Sequence, residues 1–545
     1  TIAAKIGKAY AEEFPPSDVA DKSAGRTCDG ELTSGQYAKQ SKMLGGQVDS
    51  ADTMTLAYHH PLEWWAARRP MRWLLRGLTK TRRDGKTTLE RILASYGNPE
   101  ASRWSRTKYW LIHRFIDRMR GKTDVATFRQ KLVENRPTIR GIIIAARSIA
   151  RNGLTVPQRF SMPLFSVWNF TNRCNLTCKH CYQDSTHAEL DNELSLEEKL
   201  GVIDQMGAAY MPMIAFSGGE PTIHPDLVPC VERAASYGMH ISIATNGTAM
   251  TPELAGQLAA AGARYIEISL DSVDPARHDA FRGVPGMWDK SVAGARTVIA
   301  TEGLRLGIAM CVHQDNVDEV EAMIEFAEND LGASCFAHFN FIPVGRGLEM
   351  VSGDLTPGQR EKLLAILNAK MQAGGMGIIS TAPQLGRVCL AGAALDDGLV
   401  SCSHAGAGSG TKARVVAKYL GGCGAGRTYV CIEPDGNVTP CVYLPHRVMG
   451  NLREASLESI FRNSHFTELL NDRDHRLGHC EVCAFKAYCG GCRARADAYF
   501  GELHAGDPGC VFNSKHWDGL VADGVAVERD GDDDPNTPAR RHGFG

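Results

Sequence analysis

Between residues 161 and 345 the chain repeats one pattern, a short apolar run followed by a longer amphipathic segment. Six runs are strand candidates: LFSVWNF, MIAFSGG, HISIATNG, YIEISLDS, RLGIAMCVH and FAHFNFIPVG. Segments with helical spacing, such as SLEEKLGVIDQMGAAY and TPELAGQLAAAGA, separate them. Strands that alternate with helices predict a parallel sheet with helical crossovers. Because a closed barrel has eight units, six predict an open, curved α/β barrel whose ligands bind at the carboxyl ends of the strands.

The rest of the chain divides into five regions with other patterns. Residues 1–55 are polar, and we expect little order there. Residues 56–160 show apolar stripes and Arg at helical spacing, which predicts helices. Residues 346–420 contain one clear helix, TPGQREKLLAILNAKMQ, and are interpreted as a connector. Residues 421–515 are Cys-rich, and residues 516–545 are predicted to be a disordered tail. The predicted fold class is therefore α/β, a partial (β/α)6 barrel with a helical N-terminal extension and a Cys-rich C-terminal domain.

Composition excludes several classes of protein. The 545 residues are 43% hydrophobic and 22% charged, values typical of a globular protein with several domains. The net charge of −2 gives no electrostatic argument for a nucleic-acid partner. We find no apolar run long enough to cross a bilayer.

The 17 cysteines are unevenly distributed, with three in residues 174–181 and eight in residues 423–510. Clustered cysteines in a chain of this length favour metal binding over a disulfide framework. In NFTNRCNLTCKHCYQDS, directly after the first strand candidate, Cys174, Cys178 and Cys181 have the spacing C-x3-C-x2-C. Three thiolates can bind three irons of a [4Fe–4S] cluster and leave the fourth iron open to another ligand. A zinc ion with one distant fourth ligand is the alternative.

This motif, followed by the aromatic residue Tyr182, resembles that of the radical S-adenosylmethionine superfamily. Three further segments resemble its later motifs on successive strands: SGGEP after the second, ATNG at the end of the third and SLDS at the end of the fourth. The resemblance implies that an open-iron cluster bound by the three cysteines cleaves S-adenosylmethionine. It implies cofactor contacts for these residues: Tyr182, Ser217, Gly218, Gly219, Glu220, Pro221, Thr245, Asn246, Ser269 and Asp271. Its glycine pair is expected to let the backbone approach the ligand. Arg346, after the sixth strand, is a candidate contact for the cofactor carboxylate or an acidic substrate.

The later cysteines resemble the SPASM extension of radical enzymes, which carries one or two auxiliary [4Fe–4S] clusters. A hairpin is predicted at CIEPDGNVTPCVY, with Asp435-Gly436 in the turn. The resemblance implies one ligand set of Cys423, Cys441 and Cys492, and a second of Cys480, Cys483, Cys489 and Cys510. Cys431 either completes the first set or is a buried core thiol. A zinc ribbon is the alternative for residues 480–492.

These motifs predict a radical enzyme that abstracts hydrogen from an unactivated carbon and takes its electron from an external donor such as ferredoxin or flavodoxin. The segments PDGNVTPCVYLP and GNLREASLESIF are most similar to those of members that modify haem-type tetrapyrroles. A peptide-modifying maturase and a lipid-modifying enzyme are the alternatives, and an iron–sulfur electron carrier or scaffold is the alternative class. Because reduced clusters react with oxygen, we expect the protein in the cytoplasm of an anaerobic or low-oxygen cell.

The N-terminal helical region has no counterpart that we recognise in these groups, and it lacks the alternating strands of a winged-helix peptide-binding module. Five of the eight tryptophans fall in it: Trp64, Trp65, Trp73, Trp104 and Trp110. Trp and Arg together suit peripheral contact with a membrane or a lipid-like substrate. We favour the alternative that the tryptophans form an ordinary helical core.

Three further residues are candidates for supporting roles. His180, inside the cysteine loop, either donates a hydrogen bond to a cluster sulfur or, as we favour, faces solvent. Asp507 and Tyr443 lie near predicted ligands and are candidate acid–base groups.

Overall fold

The computed structural model describes residues 63, 68–121, 123–392, 399–401 and 407–528. The predictions for residues 1–55, for Trp64 and Trp65, and for residues 529–545 lie outside the described residues.

The N-terminal region is helical, as predicted. Its helices are α1 Arg69–Thr79, α2 Thr88–Ser95, α3 Arg103–Lys108, α4 Trp110–Arg120, α5 Val125–Phe128 and α6 Arg136–Asn152. Thr87 begins α2 with a capping box, since its side chain accepts the N–H of Glu90 and the Glu90 carboxylate accepts that of Thr87. The buried side chains of Ile92, Leu93 and Tyr96 form a small core here.

The three described tryptophans of this region are not in that core. Trp73, Trp104 and Trp110 are 78%, 68% and 57% exposed. The expectation of an ordinary tryptophan core is therefore wrong for these three residues. None of the described helices combines the length and the apolar character that crossing a membrane requires.

A ten-stranded sheet runs through the rest of the chain, and two further strands form a separate hairpin. The strands are β1 Phe165–Asn169, β2 Met213–Ser217, β3 His240–Thr245, β4 Tyr265–Ser269, β5 Arg305–Val312, β6 Cys335–Asn340, β7 Gly377–Ser380, β8 Leu399–Ser401, β9 Ala407–Ser409, β10 Tyr429–Ile432, β11 Asn437–Thr439 and β12 Gly450–Asn451. The order in the sheet is β12-β11-β10-β1-β2-β3-β4-β5-β6-β7, with β10 and β1 to β7 parallel. The six predicted strands are confirmed as β1 to β6.

Helices follow most strands and cover the outer face of the sheet. They are α7 Leu196–Ala208, α8 Leu227–Ser236, α9 Pro252–Ala261, α10 Pro275–Arg282, α11 Met287–Ala300, α12 Val320–Glu325, α13 Pro357–Ala373, α14 Gln384–Gly392, α15 Gly410–Leu420, α16 Leu457–Asn463, α17 His465–Asn471, α18 His479–Val482, α19 Arg493–Phe500 and α20 Ser514–Ala522. The short 3₁₀ segments are Pro221–Ile223, Val317–Glu319, Gly345–Gly353 and Val511–Asn513, and the π segments are Arg129–Val133 and Phe326–Asp330.

Alternation along the strands separates the outer core from the barrel interior. In β4, Ile266 and Ile268 are fully buried in the main hydrophobic core, whereas Tyr265, Glu267 and Ser269 line the interior cavity. The strand therefore presents polar side chains to the cavity on one face, and its other face packs in the hydrophobic core with the helices.

Two features extend the predicted barrel. Residues 346–420, predicted to be a connector, supply β7, which pairs parallel with β6. The Cys-rich region supplies β10, which pairs parallel with β1 and places Cys431 opposite Val167. The predicted hairpin is confirmed as β10 and β11. The barrel and the Cys-rich region therefore share one sheet.

The segment predicted as a disordered tail begins as an ordered helix. Trp517, in α20, is fully buried, and its indole N–H donates to the Val527 carbonyl at 2.9 Å. The prediction of disorder is therefore wrong for residues 516–528.

Candidate functional site

The three-cysteine loop leaves the carboxyl end of β1, and protein donors surround its sulfurs. The Leu176 N–H donates to Cys174 Sγ at 3.4 Å, and the Ser185 N–H donates to Cys181 Sγ at 3.4 Å. Burial, reinforced by nearby acidic groups, raises the pKa of the Cys174 thiol to about 12. Buried sulfurs that accept hydrogen bonds fit thiolates whose charge a bound iron–sulfur cluster compensates.

Arg282, at the end of α10, links this loop to the barrel. Its Nη1 lies 3.7 Å from Cys178 Sγ, and its Nε donates to Asp271 Oδ2 at 2.6 Å. Although burial alone would raise it, the Arg282 charge holds the pKa of Asp271 at about 2. The carboxylate thus keeps the guanidinium beside the cluster loop.

The glycine pair of SGGEP packs against the cysteine loop. A Cβ on Gly218 would lie 2.8 Å from the Phe170 nitrogen, and one on Gly219 would lie 2.2 Å from the Arg173 carbonyl oxygen. Gly218 also has a φ of +112°, which favours glycine. The Gly219 N–H donates to the Thr171 carbonyl at 2.9 Å. The expected close approach of the glycines is therefore to the loop backbone.

Glu220 joins SGGEP to the next motif. Its fully buried carboxylate accepts the Thr245 hydroxyl at 2.7 Å, the Asn246 N–H at 2.7 Å and the Thr222 N–H at 3.0 Å. Pro221 opens the 3₁₀ turn that follows. Because all of these partners belong to the protein, the Glu220 carboxylate fixes the loop after β2 against the loop after β3.

The two candidate residues in SLDS, Ser269 and Asp271, have different environments. Ser269 lines the interior cavity. Asp271 does not, and its carboxylate accepts from Arg282 and from the Cys311 N–H at 2.9 Å. The geometry therefore favours Ser269 for contact with a bound ligand.

Arg346 clamps the cysteine loop. Its side chain donates to the carbonyls of Cys178 and Ser185 at 2.9 and 2.7 Å, and to Asp184 Oδ1 at 2.9 Å. It also lines the cavity, but these bonds give it a positioning role that its sequence context did not indicate.

Two tyrosines face each other beside the loop. The Tyr182 hydroxyl donates to Asn169 Oδ1 at 2.9 Å and lies 3.3 Å from the Ser217 hydroxyl. The rings of Tyr182 and Tyr443 meet edge to face at 5.3 Å. Burial raises the pKa of the Tyr443 hydroxyl well above its ordinary value, so the group stays a donor at neutral pH.

The prediction that the His180 side chain faces solvent is wrong. Its ring stacks on Phe281 at 4.3 Å, and Phe281 stacks on His313 at 4.4 Å. Burial lowers the pKa of His180 to about 3, so the ring is neutral.

Three of the later cysteines form one group. Burial and the neighbouring sulfurs of Cys423 and Cys492 raise the pKa of Cys441 to about 12. The Tyr429 hydroxyl donates to Cys441 Sγ at 2.6 Å. The structure brings together the three residues predicted as the first auxiliary set.

Four other cysteines form a second group. Burial and the nearby Cys483 and Cys480 raise the pKa of Cys489. Burial, together with Cys480 and Cys489, also raises the pKa of Cys510.

Nearby, Asp507 accepts the Cys492 N–H at 2.7 Å and the Gly509 N–H at 3.0 Å, so this candidate acid–base group holds the backbone instead.

Cys431 lies near Cys441 of the first group, but its thiol bonds to a different residue. It is fully buried, and its thiol donates to Glu433 Oε1 at 3.4 Å. Burial and the Glu433 carboxylate raise the pKa of Cys431 well above its ordinary value. This favours the core-thiol alternative over iron ligation.

The spacing of the sulfurs bears on the zinc alternatives. A zinc ion with Zn–S bonds of about 2.3 Å brings its sulfurs within about 3.8 Å of one another. In the described part of the chain, no three cysteine sulfurs lie within 4.8 Å of one another. Among the described residues, one group of three possible ligands does come so close, namely Glu189, Glu193 and His224, and the Lys199 ammonium lies 3.2 Å from its imidazole.

A cavity of about 790 Å³ connects the first two cysteine groups. Its lining includes Cys174, Cys178 and Cys181 on one side and Cys423, Cys441 and Cys492 on the other. The barrel wall between them includes both small side chains, such as Ala215, Ala244 and Ala309, and large ones, such as Met213 and Tyr265. The volume suits a sizeable organic ligand.

Sequence reasoning missed Glu267, which projects from this wall. In the described part of the chain its one hydrogen-bond partner is the Tyr265 hydroxyl, 3.3 Å from Oε2. Burial raises the pKa of Glu267 to about 7. An acid in the middle of the alternating strand YIEIS was the available signal, because such a position faces the interior of a barrel.

Comparison with known proteins agrees with this architecture. The model of the Radical SAM superfamily matches residues 168–327, and that of the SPASM iron-sulfur cluster-binding domain matches residues 423–484. The AdoMet-dependent heme synthase of Methanosarcina barkeri is 31% identical over 351 residues, which cover 64% of this chain and 97% of the relative. The Pre-heme d1 synthase of Dinoroseobacter shibae is 27% identical, with 64% and 86% covered. The mycofactocin maturase MftC of Mycobacterium tuberculosis is 30% identical, with 64% and 83% covered.

Among solved structures, Streptococcus suis SuiB bound to S-adenosylmethionine superimposes with a TM-score of 0.55 at 14% identity, covering 78% of this chain and 93% of SuiB. That likeness shows the fold. The chain belongs to the radical S-adenosylmethionine superfamily and carries a SPASM domain. The cofactors of these families are [4Fe–4S] clusters and S-adenosylmethionine, and the buried sulfurs with their N–H donors fit such clusters.

Proposed function

We propose that this protein is a radical S-adenosylmethionine enzyme in which Cys174, Cys178 and Cys181 hold the catalytic cluster. When bound, the cluster and S-adenosylmethionine supply a 5′-deoxyadenosyl radical that abstracts hydrogen from an unactivated carbon. The observation that carries the proposal is the cavity that reaches from this loop into the barrel and across to Cys423, Cys441 and Cys492. A ligand in it contacts both places where cluster chemistry occurs.

The residues around the cavity have distinct roles in this proposal. Arg282 and Arg346 hold the loop by their bonds to the Cys178 sulfur and carbonyl. Ser269 contacts the cofactor, and Glu267 faces the substrate. Cys423, Cys441 and Cys492 hold one auxiliary cluster and leave it one iron without a cysteine ligand. Cys480, Cys483, Cys489 and Cys510 hold a second auxiliary cluster.

We propose a tetrapyrrole side chain as the site of reaction. Two relatives have names that refer to haem-type products, the AdoMet-dependent heme synthase and the Pre-heme d1 synthase. The cavity of about 790 Å³ has room for a large ligand. A peptide is the alternative substrate, since MftC is called a maturase and SuiB was solved with its precursor peptide. Between residues 68 and 152 the described chain forms helices and no strand of a winged-helix module, which favours the tetrapyrrole.

The proposal includes an external donor of low potential, such as ferredoxin or flavodoxin. Because reduced clusters react with oxygen, it also places the enzyme in the cytoplasm of a low-oxygen cell.

The test is anaerobic turnover of the reconstituted chain with S-adenosylmethionine and a strong reductant, followed by mass spectrometry of 5′-deoxyadenosine. The control is the Cys174→Ala/Cys178→Ala/Cys181→Ala variant, with both auxiliary groups intact. We expect product from the wild type only. If neither protein yields product while the wild type holds iron at the first site, the electron-carrier or scaffold class replaces this proposal.

The substrate is tested in the same assay with an iron coproporphyrin deuterated in its propionate side chains. Deuterium in the 5′-deoxyadenosine supports the tetrapyrrole proposal. Formation of 5′-deoxyadenosine without deuterium transfer counts against this substrate while leaving the radical assignment intact.

A further inference from the structure

Two of the tryptophans that are missing from the N-terminal core lie on α3 and α4, where further large apolar side chains are exposed. On α3, Trp104 is 68% exposed, and on α4, Trp110, Leu111 and Phe115 are 57%, 74% and 45% exposed. Large apolar side chains that cluster on the surface mark interaction sites more often than isolated ones do. We call these four residues, with Arg114 and Arg118 of α4, the α3–α4 face.

The geometry of α4 explains why these side chains project together. At 100° per residue, positions 110, 111, 114, 115 and 118 fall within an arc of about 140°. Ile116 lies on the opposite side and is buried in the core that Ile92 and Tyr96 help to form. The helix is thus held by its inner side, and its outer side carries a mixture of apolar and basic residues.

The charge of this region is opposite to that of the chain as a whole. Residues 68–120 contain fifteen Arg and Lys and four Asp and Glu, in a chain whose net charge is −2. Three of those acids have partners: Asp84 pairs with Arg91 at 2.6 Å, Glu90 caps α2, and Asp117 accepts the Tyr96 hydroxyl at 2.6 Å. In contrast, Arg114 and Arg118 are exposed. The surface is therefore strongly basic.

The same combination occurs on α1. Trp73 and Leu74 are 78% and 40% exposed, between Arg69 and Arg76. Two helices in the region thus pair surface apolar residues with arginine.

We propose that the α3–α4 face docks on an anionic lipid bilayer. In this arrangement Trp104, Trp110, Leu111 and Phe115 enter the boundary between headgroups and acyl chains, while Arg114 and Arg118 contact lipid phosphates. Indole rings and arginine are the side chains that favour this boundary. A nucleic acid would use the positive charge and the aromatic faces, but it gives no reason to expose Leu111. The docking goes beyond the proposed function, because it concerns where the enzyme works.

The test is co-sedimentation of the full-length holoprotein with vesicles, under anaerobic conditions. The probes are vesicles of phosphatidylcholine alone and of phosphatidylcholine with phosphatidylglycerol. We expect binding to the anionic vesicles that weakens as salt is added. The Trp110→Ala/Leu111→Ala/Phe115→Ala variant is expected to bind at least tenfold less. An Ile299→Ala/Val416→Ala variant, which alters apolar residues exposed on α11 and α15, is the matched control and should bind as the wild type does.

Two further measurements distinguish insertion from simple charge attraction. Brominated phosphatidylglycerol should quench tryptophan fluorescence in the wild type, and the Arg114→Glu/Arg118→Glu variant should lose binding at low salt. Iron content and thermal midpoint are compared first, to show that each variant is folded.

Three outcomes overturn the proposal. They are no binding to anionic vesicles at low salt, equal binding by the wild type and the triple apolar variant, and loss of binding in the charge variant without any fluorescence quenching in the wild type. The last outcome would make the face a site for a polyanion instead of a bilayer.

Discussion

At the scale of single residues, Glu267 is a buried acid in the wall of the interior cavity. Across the sheet it stands beside Ala244 and Gly307, and the Tyr265 ring occupies the space over Gly307. Burial raises the pKa of its carboxyl group to about 7, and Tyr265 is its hydrogen-bond partner. A carboxyl group with such a pKa is able to gain and lose a proton near neutral pH, as acid–base groups in enzymes do.

This environment predicts a pH-dependent stability. The folded state holds the Glu267 proton more tightly than the unfolded state, so the free energy of unfolding falls as pH rises from about 4.5 through about 7. The Glu267→Gln variant lacks this titration. Its thermal midpoint should therefore rise relative to the wild type between about pH 5 and about pH 8.

The measurement is thermal unfolding followed by circular dichroism at several pH values. Glu302→Gln, which alters an exposed glutamate on the surface, is the control and should track the wild type. A constant difference between Glu267→Gln and the wild type across this range would show that Glu267 does not titrate there.

The cysteine roles show how far single residues could be predicted from the sequence. The spacing of Cys174, Cys178 and Cys181 predicted one loop, and local backbone geometry is enough for that. The role of Cys431, as iron ligand or core thiol, could not be decided from the sequence. Its bond to Glu433 depends on how side chains are arranged in the hairpin, which cysteine spacing does not reveal. Arg282 was missed, and Arg346 was assigned a role in ligand contact. Their bonds to the loop join residues more than a hundred positions apart, so the local sequence does not indicate them.

At the scale of elements, the cysteine loop and SGGEP behave as one unit. Gly219 fits against the Arg173 carbonyl, and the Gly219 and Glu220 N–H groups both donate to loop carbonyls. The motif predicted to bind the ligand thus holds the cysteine loop in place.

The Gly219→Ala variant should therefore lose the first cluster. Its Cβ would lie 2.2 Å from the Arg173 carbonyl oxygen, so the loop must move. We expect iron content to fall to the level of the Cys174→Ala/Cys178→Ala/Cys181→Ala variant, with loss of 5′-deoxyadenosine formation. Gly256→Ala is the matched control, because nothing lies within 4 Å of its added Cβ. Full iron content in Gly219→Ala would mean that the loop tolerates the displacement.

Elements with a strong local pattern were predicted well, and weak ones were not. β1 to β6 and the hairpin at Asp435-Gly436 were found from alternation and turn residues. β7 was missed, since GIIS is four residues long and follows a Gly-rich stretch, and its pairing with β6 makes it a strand. The exposed faces of α3 and α4 were misjudged, because a stripe of tryptophans looks the same in sequence whether it packs inward or outward.

At the scale of the whole molecule, the cysteine groups hold together a region with little regular structure. Between residues 421 and 515 the strands have at most four residues and the helices at most eight. Metal binding of this kind contributes directly to the free energy of folding.

Removal of iron should therefore loosen this region more than the barrel. We expect hydrogen exchange to increase in residues 421–515 of the chelated protein, while β2 to β5 keep their protection. Exchange followed by mass spectrometry, with the holoprotein as reference, measures this. Equal increases in both regions would show that the barrel depends on the clusters as strongly as the Cys-rich region does.

The pairing of β10 with β1 has a consequence for synthesis of the chain on the ribosome. Phe165 emerges long before Tyr429, its partner in the sheet. During that interval one edge of β1 has no neighbour, although β2 can already cover the other. Unpaired edges of parallel strands are places where growing chains misassociate. The strand that leads into the cysteine loop is thus, for much of the synthesis of the chain, open to such contacts.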